Sequence, residues 1–400
     1  MKQLISLFFI LAIGHAVLAQ PLPGSAQSDL TLPSARIACG PWLQAVGENE
    51  FTVVWTTDVE SAVWVEIAPD DGTEFYGMER PKYFQAKYGK RLIGKLHKVR
   101  ITGLEKGTTY RYRIFQQAII LNEGNKRIIL GEGYGSDILK SPPFKATTLD
   151  PDKKEINFTM VNDVHGNDSL FRLLLADARK RKTDFVVFNG DMLTSTENES
   201  QLMDGFLKSA GELFASDLPF YAVRGNHDIR GEFSYNYFDY FPNCNNNPWY
   251  SFRSGPAYFI FLDSGEDKPE SDIRYFGLSV TDQMRKEEAE WLRSVVEMKE
   301  FKEAPVKIVI MHMPPMQNGW YGTREVNRLF MPVLNQAGID LMLCGHTHRL
   351  SYSEKGTENS FPLLINSNTS RVDLHVTGTA IEARVVDGSG NVVKSYNIQK

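Results

Sequence analysis

Cysteine is scarce in this chain of 400 residues, which carries only Cys39, Cys244 and Cys344. Three thiols form at most one disulfide, so a disulfide-stapled framework is excluded, and none stands where a lipid would be attached after an export signal. Long apolar runs are absent beyond the first twenty residues, so no later segment reads as a membrane-spanning helix. An excess of positive charge is lacking too. The chain has 44 Lys and Arg against 49 Asp and Glu, a net charge of -5 and a sequence pI ≈ 6.0, which excludes the basic footprint of a general nucleic-acid binder. Neither an internal repeat nor a low-complexity segment occurs.

What is present begins with MKQLISLFFILAIGHAVLAQ, one lysine followed by an apolar run and then small residues. Val17 and Ala19 are placed for cleavage before Gln20, so residues 1–19 read as a signal peptide and predict a secreted or periplasmic protein. A membrane anchor is the other reading, but the run from Leu4 is short and is interrupted by Gly14 and His15. Residues 31–148 alternate apolar and polar positions in short runs such as Phe51-Thr52-Val53-Val54-Trp55, parted by glycine and aspartate turns, which predicts an all-β sandwich. The run HKVRITGLEKGTTYRYRI resembles the last strands of fibronectin type III domains. Leu104, Gly107 and Tyr110 match that family's leucine, turn glycine and corner tyrosine, and Trp55 its core tryptophan. The charged segment DPDKKE, 150–155, reads as a linker.

Residues 155–400 change character. Strands are expected at 156–162, 185–189, 220–224, 258–263, 306–311 and 340–344, and amphipathic helices at 170–182, 201–214, 282–298 and 325–336. This alternation predicts an α/β layered domain. From Pro362 the tail reads as further strands, with Asp387-Gly388-Ser389-Gly390 as a hairpin turn.

Five short motifs stand at the carboxyl ends of five of these strands, where open α/β sheets place their sites. They are Asp163-Val164-His165, Gly190-Asp191, Gly225-Asn226-His227-Asp228, His312, and Gly345-His346-Thr347-His348, and they hold five of the eight histidines. Asp163 and His165, like His346 and His348, are two apart, and on an extended chain such side chains point the same way. Imidazole with carboxylate suits zinc, iron or manganese better than calcium. Glycines before Asp191, Asn226 and His346 permit sharp turns and close backbone approach. Singly, each piece has a plainer reading: a Gly-Asp turn, a satisfied core histidine, a helix cap. Together, in this order and each after an apolar strand, they point to metal.

At these residues the sequence resembles the calcineurin-like metallophosphoesterases, whose pattern D-x-H, G-D, G-N-H-D/E, H and G-H-x-H is present in order. The resemblance implies two mixed β-sheets flanked by helices in a four-layer sandwich. It also implies two divalent transition-metal ions, one held by Asp163, His165 and His348, the other by Asn226, His312 and His346, with Asp191 between them. The all-β front half makes the chain look like purple acid phosphatases, with two departures. Thr194 stands where those enzymes have a tyrosine, and His165 where they have a glycine.

Such a centre implies hydrolysis of a phosphate monoester by a hydroxide bridging the metals. His227, beside a ligand but not one itself, is the expected general acid, with Asp228 taking its other ring proton. Arg224 and Arg349 flank two motifs and are candidates for contacting phosphate oxygens. Substrate choice is expected from loops 235–250, rich in Asn243, Asn245, Asn246, Asn247 and Trp249, and 317–321, with Trp320 and Tyr321, either stacking on an aromatic group or packing the loops. Asn157, Asn167, Asn198 and Asn368 begin Asn-X-Ser/Thr triplets, which matter only in a eukaryotic secretory route. The expected partner is a small or isolated phosphate ester. A phosphodiesterase on the same metal core is the alternative, and a β-sandwich binding protein with an inert metal domain is the alternative of another class.

Overall fold

The computed structural model describes residues 33–135, 140–243, 245 and 247–400. The predicted leader, Cys244 and Asn246 lie outside the described residues. The front half is all strand: β1 (Ile37–Gln44), β2 (Glu50–Pro69), β3 (Lys82–Phe84), β4 (Ala86–Lys87), β5 (Lys90–Arg91), β6 (Ile93–Thr102), β7 (Thr109–Asn122), β8 (Ile128–Gly135) and β9 (Phe144–Thr147). The long strand β2 slips register between Thr56 and Ser61. Its first part pairs with β1 and most of β6, and its second part with β3, β7 and the start of β6. One strand thus serves two packed halves, which enclose Val53, Trp55, Val65, Tyr112 and Ile114. The expected corner is present: the Tyr110 hydroxyl, at the start of β7, accepts the Glu105 N–H at 2.9 Å.

The second half holds two six-stranded sheets. β10 (Glu155–Val161), β11 (Phe185–Asn189), β12 (Phe220–Val223), β19 (Ser370–Thr377), β20 (Ala380–Asp387) and β21 (Val392–Gln399) form the first, in the order β12-β11-β10-β19-β20-β21. β13 (Tyr250–Ser254), β14 (Ala257–Leu262), β15 (Val306–Met311), β16 (Leu341–Cys344), β17 (Ser351–Ser353) and β18 (Leu363–Ile365) form the second, in the order β13-β14-β15-β16-β18-β17. Strand alternation decides the layers. Phe158, Met160, Phe185 and Val187 meet Phe259, Ile308 and Leu343 between the sheets, whereas Val161, Val186 and Phe188 face the helical segments 168–175 and 199–215. Helices Thr281–Val295 and Tyr321–Leu334 cover the other sheet.

The helix expected at 170–182 ends at Leu175, and tight turns closed by Ala178 N–H to Leu175 carbonyl and Lys180 N–H to Asp177 carbonyl follow it. Among the described residues no helix is long and apolar enough to cross a membrane. The halves share a core, because Cys39, Trp42 and Val54 pack with Phe206 and Phe214. The Trp42 indole donates to the Tyr240 carbonyl at 2.9 Å, and the Tyr112 hydroxyl to the Ser216 carbonyl at 2.6 Å.

Candidate metal centre

Parallel pairing fixes where the motifs meet. Val161 is level with Phe188, Asn189 with Val223, and Ile310 with Leu343. The turns after β10, β11, β12, β15 and β16 therefore open side by side, carrying Asp163, Asp191, Asn226, His312 and His346. These turns are sharp. Among the described residues eight non-glycine positions have positive φ, and five are Asp163, His165, Asp191, His346 and His348. That conformation costs energy at each position and persists only where the surroundings hold it. The paired donors are thus not presented from an extended chain, as their spacing suggested. Each lies in a left-handed turn, because the chain must reverse at the strand end. The glycines do what was expected of them: a Cβ on Gly225 would lie 2.1 Å from Asp191 Oδ1, and one on Gly345 2.7 Å from Asp163 Oδ2.

Two donor groups result, Asp163 with His165 and His348, and Asp191 with His312 and His346. His348 Nε2 is 3.2 Å from Asp163 Oδ1 and 3.1 Å from His165 Nε2, and His312 Nε2 is 3.2 Å from Asp191 Oδ2. The groups adjoin, since His312 Nε2 is also 3.8 Å from Asp163 Oδ1. Among the described residues Asp163 Oδ1, Asn226 Oδ1, His312 Nε2 and His346 Nε2 are buried without a hydrogen-bond partner. Buried polar atoms are rarely left so, and all four are atoms that bind metal. Their other atoms are tied down: Asn162 Nδ2 and the His346 N–H donate to Asp163 Oδ2 at 2.7 and 2.8 Å, and His312 Nδ1 donates to the Asn189 carbonyl at 2.8 Å. The donor set fits two transition-metal ions.

Electrostatics agree. Burial opposes a charge on His312, yet the Asp191 and Asp163 carboxylates outweigh it and raise its pKa to about 10. Burial and His312 together push His346 down to about 4. A cation in the centre would take over the counter-ion role of the His312 proton and release it.

Two expectations need correction. Asp228 does not touch the His227 ring: its Oδ2 accepts the Asp191 and Gly225 N–H groups at 2.7 and 2.9 Å. His227 Nδ1 instead donates to the Thr194 carbonyl at 2.7 Å, because successive side chains in this turn point to different sides. Arg224 does not face the centre. Its Nε donates to the buried Asp263 at 2.7 Å and its guanidinium lies over the Phe238 ring, a packing role. Loop 235–250 is largely packing as well: Trp249 is buried, and Asn243 donates to the Asn247 carbonyl at 2.6 Å. Trp320 does reach the centre, its ring edge-on to His346 at 4.6 Å. Arg349, which follows His348 in the chain, is exposed.

Arg230 was missed by the sequence reading. Its Nη1 is 3.3 Å from both His227 ring nitrogens, while Nη2 pairs with Glu266 at 3.0 Å and Asp267 at 2.9 Å. Its place three residues after His227 was a weak signal, which the acidic residues it needs, far along the chain, could not reinforce.

Residues 156–350 match the calcineurin-like phosphoesterase family. Purple acid phosphatase 21 and purple acid phosphatase 22 of Arabidopsis thaliana are 24% and 25% identical to the chain over 334 residues, 76% of this chain and 64% of each relative. The chain thus spans under two thirds of the length of these curated relatives. The solved structure of purple acid phosphatase PPD1 from yellow lupin (Lupinus luteus) seeds has a TM-score of 0.61 at 15% identity, covering 90% of this chain and 74% of that one, a likeness of fold. Motif order, paired sheets and donor geometry agree with the match of residues 156–350 to the calcineurin-like phosphoesterase family.

Proposed function

We propose that the chain is an exported phosphatase that hydrolyses phosphate monoesters at a centre of two divalent transition-metal ions. Residues 1–19 would be removed as a signal peptide, 31–148 form a fibronectin III-like sandwich and 155–400 the catalytic domain. Asp163, His165 and His348 would hold one ion and Asn226, His312 and His346 the other, with Asp191 between them. When bound, the ions would polarise the ester and lower the pKa of water toward neutrality. The observation that carries this reading is the convergence of two donor groups, with four buried donor atoms that form no well-aligned hydrogen bond.

His227 is the general acid. Its Nδ1 is committed to the Thr194 carbonyl, so Nε2 is the nitrogen left to protonate the leaving alkoxide. Arg230, itself fixed by Glu266 and Asp267, lies beside the ring. Asp228 acts through the backbone, holding the turns of Asp191 and Gly225 together. Arg349, exposed and next to the donor His348 in the chain, is a candidate for phosphate oxygens. The test is hydrolysis of a monoester panel before and after exhaustive chelation. Activity should vanish with chelator and return with zinc or manganese; activity that survives complete removal of metal would overturn the proposal.

A further inference from the structure

A cleft of about 370 Å³ opens beside the centre, lined by His165, Thr194, Ser195, Ser200, Gln201 and Asp204. Its back wall is a π-helical turn, Met203–Leu207, a form that recurs at functional sites. The wall sits close because Gly205 has no side chain: a Cβ there would lie 2.4 Å from Leu193 Cδ2.

The cleft borders His227. Thr194 holds that ring by its carbonyl, and the His165 ring is 5.0 Å from it. The His165 ring, which lines the cleft, thus joins His227 to the cleft mouth, and an alcohol leaving past His165 enters it. The lining mixes polar side chains with Leu193 and two glycines. Among the described residues the hydroxyls of Thr194 and Ser195 and the amide nitrogen of Gln201 have no hydrogen bond, the Ser200 hydroxyl donates to Asn198 but can still accept, and the exposed Asp204 pairs with Lys208. Apart from the His165 imidazole, no aromatic ring lines the cleft. An alkyl or aryl group there would leave these donors and acceptors facing carbon, whereas a leaving group with several hydroxyls would pair with them.

We infer that this cleft receives the leaving group, and that its free hydroxyl and amide groups select a polyhydroxylated alcohol, making sugar or polyol monophosphates the preferred substrate class. The inference rests on the proposed phosphatase reading.

The test compares a hexose 6-phosphate with n-hexyl phosphate, both esters of primary alcohols, on the metal-loaded protein. The sugar ester should be favoured in kcat/KM by about tenfold or more, and the pair Ser195→Val and Gln201→Leu should cut that ratio about tenfold with metal content held. Saturation-transfer NMR on the metal-free protein gives a second readout: the sugar ring protons should be labelled, and labelling should weaken in the double variant. Equal kcat/KM for the two esters, or a ratio the variant does not move, overturns the inference and leaves the phosphatase reading standing. Failure to hydrolyse any ester overturns the phosphatase reading, while the NMR comparison still decides whether the cleft binds polyols.

Discussion

His227 follows Asn226 by one peptide bond, yet the proposal gives the two different work, and a variant separates them. His227→Ala should keep its metal, because the ring is held by the Thr194 carbonyl and Arg230 rather than by the donor groups. Its kcat on an alkyl phosphate should fall about 10²–10⁴-fold, the usual worth of a general acid. An aryl phosphate with a good leaving group should lose less. Equal losses on both esters, or loss of metal, would contradict the role. Asp228 gives a second test at this scale. Asp228→Ala strands the buried N–H groups of Asp191 and Gly225, at about 1–3 kcal/mol each, so thermal denaturation should show a clear drop in Tm. An unchanged Tm would refute the structural role. Sequence revealed the donors well, since Asp163, His165 and the rest sit in short motifs. It misplaced Asp228 and Arg224, because adjacency along a chain says nothing about which side of a turn a side chain takes.

At the scale of elements, strand positions were legible from apolar runs, and the glycines announced the close turns. Backbone conformation was not: that Asp163 and His348 lie at positive φ follows from how the strands are stacked, which spacing does not encode. Helix Thr281–Val295 carries another feature invisible in sequence, the fully buried Glu288, which accepts the Asp263 N–H at 2.7 Å. Burial and the Asp263 carboxylate raise its pKa well above 4.5. A raised folded pKa means its stability contribution is present below the unfolded value and is lost as pH rises through the folded one. Glu288→Gln keeps the acceptor and removes the titration. The variant should therefore match or exceed the parent Tm at pH 8 and show a flatter decline from pH 5 upward. A Tm lower than the parent at every pH would show that the carboxylate itself is needed.

For the whole molecule, the all-β and α/β halves were legible as a change of periodicity near residue 150. Their shared core was not, because Cys39, Trp42 and Val54 look like ordinary sandwich residues until Phe206 and Phe214 are found against them. The halves should therefore unfold together. Trp42→Ala removes a fully buried side chain and its bond to the Tyr240 carbonyl, a change typically costing about 3–5 kcal/mol. Calorimetry should show one transition moving down as a unit; two separated transitions, with only the first shifted, would contradict the shared core. What this architecture holds in place is a centre for two ions. The direct measurement is metal content per chain after reconstitution with excess zinc or manganese and removal of loosely bound ion. The account predicts close to two ions per chain; a single tight ion under those conditions would contradict it.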